Sequence, residues 1–378
     1  MILCDTHIHL GASRDGRPIK VSASKNLTLA EIPAALRRYG ADLGAVVDLA
    51  TRRGLADLEA ALAAGALRET ADGTFRDAAG THVLGALEAE FRLSGAGPFH
   101  VLAYVPGLDA LRSLARIYRE AVKNPDLSTQ RLHLEPDAFR HEVEAIGGSI
   151  ALAHAFTPHR GLFGAGLGLR DAFADPAGLG LELGLSADVE IARQVGEVGE
   201  LGLMGGSDAH GPETIGRELN LVPGPAGYAA VLRLVRGEAD TIFGMNPAFG
   251  KYHRTYCLHC EQVVADRPPQ LRCPVEPGHR VVVGVLDRAM AMAPPQGERD
   301  FPRYVYQLPL TLLPGFGAVA RRRLVAAFGS VHRGLHEASA EQLRGAVGAG
   351  PAEAVLAMRR GEPPQAVGGG GRWGKADS

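Results

Sequence analysis

Between Met1 and about Asn246, short apolar runs alternate with amphipathic stretches. The runs at 2–10, 43–49, 82–90, 99–105, 149–154, 181–185 and 201–205 read as strands. Stretches at 29–39, 55–67, 108–122, 138–146 and 189–198 carry their apolar residues at helical spacing. Repeated strand–helix alternation predicts a parallel β/α architecture, and about seven units predict a distorted (β/α)7 TIM-like barrel over residues 1–248. In such a barrel the strand ends share one mouth, where catalytic groups gather. His9, Asp48, Glu88, His100, His154 and Asp208 all fall at predicted strand ends.

The stretch Asp5-Thr6-His7-Ile8-His9 puts two imidazoles at i and i+2, on one face of a strand, where they can converge on a single ion. One such pair is more often coincidence than a site. Here it is repeated, because later apolar runs end in His100, in His154 and in Ser207-Asp208-Ala209-His210. If these residues meet at one mouth, a carboxylate such as Glu88 can bridge two cations and leave imidazoles to fill the outer positions. Metals roughly 4 Å apart can activate a water and steady the leaving oxygen of a phosphate ester. Hydrolysis of a phosphodiester or phosphomonoester is the reaction expected. The chain offers no Ser-His-Asp set, no phosphate-binding Gly-x4-Gly-Lys loop and no dinucleotide fingerprint as a competing chemistry.

Composition narrows the picture without redirecting it. With 378 residues, 46% hydrophobic and 22% charged, the chain is long enough for two or more globular domains. It shows no leader pattern and no apolar run near the ~20 residues that span a bilayer, so a cytoplasmic protein without membrane contact is expected. The net charge of −2 does not signal nucleic acid, but residues 314–378 carry +4 against −6 for the remainder. Any DNA contact must therefore come from local patches.

Three of the four cysteines cluster, in Cys257-Leu258-His259-Cys260 and at Cys273, within a predicted zinc-binding segment over 249–293. The usual closing Cys-x2-Cys is broken, because its last position is Glu276. His279 is the preferred fourth ligand, with Glu276 and His259 as alternatives. Farther on, Leu313-Pro314-Gly315-Phe316-Gly317 opens a helix–turn–helix pattern, and Val347-Gly348-Ala349-Gly350-Pro351 is a weaker copy within a module over 303–363. A glycine turn at a helix start exposes N–H groups to a phosphate, and Arg321, Arg322 and Arg323 add charge beside it. Gly315, Gly317, Arg321 and Arg322 are the DNA contacts expected of this helix-hairpin-helix-like module. The tail at 364–378 holds Gly368-Gly369-Gly370-Gly371 and the single tryptophan, and either touches DNA or docks back on the body.

The motifs around His7 and His9, Phe99-His100-Val101-Leu102, Ala153-His154 and Ser207-Asp208-Ala209-His210 resemble the metal-binding motifs of the PHP (polymerase and histidinol phosphatase) superfamily. The chain more narrowly resembles the endonuclease Q family, through Lys25-Asn26-Leu27-Thr28-Leu29, Gly184-Leu185-Ser186-Ala187-Asp188, Ile215-Gly216-Arg217-Glu218 and Gly250-Lys251-Tyr252-His253-Arg254-Thr255. That likeness runs on through Gly284-Val285-Leu286-Asp287-Arg288 to the glycine-rich tail. The resemblance implies a PHP barrel, a zinc finger and cleavage of DNA on the 5′ side of a deaminated or missing base. It further implies that His7, His9, Glu88 and Asp208 hold one divalent metal (Zn, Mn or Mg). Glu88 would bridge to a second metal on His100 and His154, and His210 would belong to a third position. Two departures stay open. Ala50 stands where the family commonly has a histidine, which puts the third metal in question, and Glu90 rivals Glu88 as the bridging ligand. The implied partner is duplex DNA carrying a damaged base, with room for a replication or repair protein. Two other functions fit parts of the pattern: a histidinol-phosphatase-like small-molecule phosphatase, and a DNA-binding protein with an impaired metal site. His159 reads as a loop residue or DNA contact, and His133, His141, His332 and His336 as solvated side chains.

Overall fold

The computed structural model describes residues 1–292, 294 and 300–375. Residue 293, at the end of the expected zinc segment, and residues 376–378 of the tail lie outside the described residues.

The first strands are β1 (Ile2–Ile8), β2 (Leu43–Val46), β3 (Leu67–Glu69), β4 (Phe75–Asp77), β5 (His82–Arg92) and β6 (Pro98–Val105). They are followed by β7 (Ser149–Leu152), β8 (Gly180–Glu182), β9 (Gly202–Met204), β10 (Leu219–Val222) and β11 (Thr241–Gly244). The sheet runs β11-β10-β1-β2-β5-β6-β7-β8-β9, with β3 and β4 as a hairpin beside β5. Along β2, Leu43 and Ala45 join Cys4, Leu84 and Ala86 in one apolar cluster, while Val46 joins Ile8 and Leu87 in another. Both faces of the central strands are thus buried, which explains why they read as apolar runs and not as alternating ones.

Helices α1 (Ile32–Tyr39), α2 (Arg52–Ala63), α3 (Gly107–Ala121) and α4 (Pro136–Ala145) match four predicted ones to within a few residues. Two of their ends are set by local caps. Thr51 Oγ1 caps α2 by accepting the Gly54 N–H at 3.0 Å, and α1 ends at Gly40 in left-handed backbone (φ 92°). Short α5 (Leu169–Ala172) and α6 (Val189–Ala192) follow, the latter covering only part of the helix expected at 189–198. Helix α7 (Tyr228–Val235) presents Tyr228, Val231, Leu234 and Val235 to the cluster that contains Cys4 and Leu43.

The alternation is only partly parallel. β1, β2 and β5 pair in parallel, as do β7, β8 and β9, but β5–β6, β6–β7, β1–β10 and β10–β11 are antiparallel. Only residues 93–97 join β5 to β6, too few for the crossover that a parallel pair demands. After β9 the chain meets β1 again. His9 N–H donates to the Ala209 carbonyl and Ala209 N–H to the His7 carbonyl, both at 3.1 Å, so the curled sheet is drawn together at its mouth.

Beyond the barrel, β12 (Tyr256–Cys257), β13 (Gln262–Val263) and β14 (Val281–Val282) form a small separate sheet, followed by α8 (Val285–Ala291). Residues 303–306, assigned from the sequence to the start of the helical module, instead form β15 (Arg303–Tyr306), which pairs in parallel with β11 on the edge of the large sheet. Four helices then follow, α9 (Ala318–Phe328), α10 (Val331–His336), α11 (Ala340–Val347) and α12 (Ala349–Arg359). Their apolar residues, among them Leu324, Leu335, Leu343 and Val355, belong to the same core cluster as the barrel. No helix among the described residues is long and apolar enough to cross a membrane.

Candidate metal centre

β1 delivers His7 near its end and His9 just past it, and both side chains are fully buried. Their Nε2 atoms face each other at 3.3 Å. The other nitrogen of each ring is already committed: His7 Nδ1 lies 2.8 Å from Glu182 Oε2, and His9 Nδ1 lies 3.1 Å from both Asp48 oxygens. A ring that donates Nδ1–H to a carboxylate presents Nε2 as a lone pair. Two lone pairs therefore point at one another.

Carboxylates enclose the same point. Glu88, on β5, lies 3.6 Å from His7 Nε2 and 3.4 Å from His9 Nε2, and Asp208 lies 3.6 Å and 3.3 Å from the same atoms. Four acceptors with no hydrogen between them need a cation. The titration behaviour agrees. Burial works against charge on His7, but Glu182, Asp208 and Glu88 outweigh it and push the imidazole up to about 10, so the cluster draws in a proton wherever no other cation sits. Burial likewise disfavours the Glu88 charge, yet His100, Lys20 and His9 hold that carboxyl well below the usual range. His7, His9 and Glu88 form one group whose donor atoms all lie within 4.8 Å of one another.

Glu88 also faces a second group. Its Oε1 lies 2.7 Å from His100 Nδ1 and 3.4 Å from His154 Nε2, with the three side chains buried. Glu90 does not compete for this place. It points to Arg160 and lies 3.6 Å from the opposite nitrogen of His100. Alternation along a strand puts i and i+2 on the same face, but position along the strand separates them: Glu88 sits level with the β1 histidines and Glu90 sits beyond them.

His9, Asp208 and His210 make a third possible group. With His9 Nδ1 bound to Asp48, only Nε2 remains, and that atom already belongs to the first group. One ring nitrogen serves one ion, so the two groups compete for His9. Burial holds His210 down to about 4, leaving its imidazole neutral.

The cluster is braced by residues that the sequence reading did not single out. Glu182 sits in the apolar run Leu181-Glu182-Leu183, and an acid inside a fully buried strand was the available signal. Its Oε1 is buried with no hydrogen-bond partner. Lys20 Nζ lies 2.9 Å from Glu88 Oε2, and Thr129 donates to the same oxygen at 2.6 Å. Ser128 donates to Asp48. Arg217 donates to the carbonyls of Ser207 and Asp208 at 2.6 and 3.0 Å.

These donors open into a cavity of about 690 Å³ that reaches to Lys251, Tyr252 and Trp373. His159 is exposed there, with its ring 5.1 Å from that of Tyr252. His133 and His141 are exposed as expected, but His332 is buried and His336 half-buried. Both pack on Phe243 of β11, at 4.6 and 4.7 Å, a surface that sequence-local reasoning does not see.

In the small sheet, Cys257, Cys260, Cys273 and His279 converge. His279 Nδ1 lies 3.7 Å from Cys257 Sγ and 3.5 Å from Cys260 Sγ, and Cys260 lies 3.7 Å from Cys273. Cys257 and Cys273 push the Cys260 thiol up to about 12, a repulsion that a bound cation would relieve. Of the alternatives, Glu276 lies 3.4 Å from the outer nitrogen of His279, and His259 stacks on that ring at 4.7 Å.

The helical module places Gly317 at the start of α9, after Gly315 in left-handed backbone (φ 75°). Arg322 is exposed, whereas Arg321 turns to the barrel and pairs with Glu213 at 3.2 Å. The tail does not stand free. Gly368 N–H donates to the Ala248 carbonyl, Gly371 N–H to that of Lys251 and Gly374 N–H to that of Phe249, at 2.8, 3.0 and 2.9 Å.

A curled α/β sheet with histidines and carboxylates gathered at its strand ends defines a candidate multinuclear metal centre. The structure matches that of a lesion-specific endonuclease from Pyrococcus furiosus with a TM-score of 0.84 and 25% identity, over 99% of this chain and 94% of that one. It matches an endonuclease Q complex, holding a 27-mer duplex substrate with an abasic lesion at the active site, with a TM-score of 0.82 and 25% identity over 99% and 95%. The uncharacterised protein YqxK of Bacillus subtilis is 32% identical over 385 residues, 99% of this chain and 98% of that protein. No protein-family model matches the chain. The chain belongs to the endonuclease Q family.

Proposed function

We propose that the chain is a metal-dependent DNA repair endonuclease, hydrolysing the phosphodiester 5′ to a deaminated base such as uracil, hypoxanthine or xanthine, or to an abasic site. The observation that carries this reading is the whole-length likeness to the Pyrococcus furiosus lesion-specific endonuclease and to an endonuclease Q–duplex complex. His7, His9, Glu88 and Asp208 would hold one divalent ion, and Glu88, His100 and His154 a second. Such a pair supplies a water of lowered pKa and positive charge against the leaving oxygen.

The chain's own groups do the rest. Lys20, Arg160, Arg217 and Lys251 line the cavity and draw in a phosphate. Glu182 and Asp48 keep the Nε2 lone pairs of His7 and His9 directed inward. A damaged nucleotide would leave the helix to enter the cavity, which costs least where pairing is already weak. The Cys257, Cys260, Cys273 and His279 cluster would hold structural zinc, and Gly315, Gly317 and Arg322 would meet the duplex backbone.

End-labelled duplexes carrying a single uracil, hypoxanthine or abasic site, beside an undamaged control, should be nicked with Mg²⁺ or Mn²⁺ only where damaged. Asp208→Asn should abolish nicking without unfolding the chain, because Asn accepts the left-handed backbone found there (φ 45°). Intact damaged duplexes together with phosphate released from a phosphomonoester would overturn the nuclease reading in favour of a phosphatase.

A further inference from the structure

The cavity is chemically divided. Metal-ligating and basic side chains account for part of its lining, but Ile19, Val21, Leu185, Tyr252 and Trp373 also face it, a set with no use for a phosphate. Trp373 is the chain's only tryptophan, and it arrives from the glycine-rich tail. Its position is built. The hydrogen bonds from Gly368, Gly371 and Gly374 to residues 248–251 pin the tail on either side of it, and the Lys251 ammonium lies 4.8 Å from its ring centroid. The ring remains half-buried, open to the cavity it lines.

An aromatic ring held by its own backbone and a cation, beside donors suited to a phosphate, fits a nucleotide. Stacking is indifferent to base identity and needs only a flat π-face. A cavity of about 690 Å³ is in the range that encloses a small organic group.

We infer that Trp373 is a substrate-positioning residue that stacks on the base of the nucleotide entering the metal cavity, with Tyr252 beside it. This rests on the nuclease reading above and adds that the tail supplies the contact to the base. The side chain acts on binding and not on bond cleavage, so it matters for substrates that have a base and not for those that lack one.

The single tryptophan makes the test direct. Full-length Asp208→Asn protein is mixed with labelled duplexes containing uracil or an abasic site. Binding is read from anisotropy of the label and stacking from tryptophan emission. At equal occupancy, the uracil duplex should quench the emission strongly and the abasic duplex should leave it nearly unchanged. In the active chain, Trp373→Ala should raise KM for the uracil duplex about tenfold, equivalent to ~1.4 kcal/mol, with kcat and the abasic substrate little affected. Trp373→Phe should recover most of the loss. Binding and cleavage with equal emission changes on both duplexes, or equal KM losses on both, would overturn the stacking role alone. A chain that neither binds nor cuts any duplex would overturn the nuclease reading first.

Discussion

Left-handed backbone is uncommon outside glycine, yet Thr129 (φ 52°), His154 (31°), Arg160 (67°) and Asp208 (45°) all adopt it, and all line the metal cavity. Glu261 is the one further case among the described residues. Each such residue costs ~1–3 kcal/mol, which persists only where surrounding contacts over-determine the shape. Those contacts are visible: Arg217 clamps the carbonyls of Ser207 and Asp208, and Thr157 Oγ1 donates to the His154 carbonyl at 2.9 Å. The site is held open against local preference. Orientation is equally deliberate for His7, and Glu182→Gln should weaken divalent-metal binding in the barrel by ~10- to ~100-fold, the range for partners that fix a ligand's ring. Chelator competition would measure it, and unchanged affinity would mean that Glu182 does not orient His7. At this scale the sequence was informative where a polar residue closes an apolar run, as at His9, His154 and Asp208. Glu182 and Lys20 escape such a reading because each is a lone charge whose partner lies far along the chain.

Among the elements, the tail shows why a glycine run need not be a loose one. A Cβ on Gly368 would sit 2.0 Å from the Gly250 carbonyl oxygen, so the close approach of the two chains admits no side chain. Gly368→Ala should detach the tail and move Trp373 into water. A red shift of the tryptophan emission would report it, and an unshifted spectrum would show that the docking survives. The sequence offered docking on the body as one of two alternatives for the tail but not where it docks, because the partners are backbone groups at 248–251 and carry no side-chain pattern. The strands were easier. Runs of Val, Leu and Ala marked β2, β5 and β6, but their direction was not in the apolar pattern. It lay in the short connection at 93–97, which forces a hairpin.

For the molecule as a whole, what matters is how the helical module stays on the barrel. The ion pair across that junction, Arg321–Glu213, leaves the Glu213 carboxylate 55% exposed and contributes little. Apolar packing does more, with Leu310, Leu313, Phe316 and Val331 in the core shared with the barrel. His332 and His336 sit in this junction against Phe243, and His336 Nε2 lies 2.9 Å from Gln307 Oε1. Burial lowers both, His336 to about 3, with His332 and Arg359 adding to the effect, while Glu337 and Asp42 pull the other way on His332. The folded state therefore keeps them neutral. Their contribution is intact above the ordinary value of 6.5 and is lost as pH falls from there towards 3. Hydrogen exchange in residues 318–359 should rise between about pH 6 and pH 4 ahead of the barrel strands, and His336→Phe should blunt the change. Uniform exchange across both parts would place the acid sensitivity elsewhere. The meeting of His7 and His9 with Ala209, described above as the closure of the mouth, also sets a clock on synthesis. The partner of the Ser207 hydroxyl lies 200 residues earlier, at His7. At ~5–20 residues per second a ribosome needs roughly 10–40 s to bridge that interval. Throughout it β1 waits with one edge unpaired, an invitation to wrong pairing, and neither Asp208 nor the closing strand yet exists to hold an ion. The set of His7, His9, Glu88 and Asp208 is therefore complete only after that interval, whereas Glu88, His100 and His154 are all made once residue 154 is.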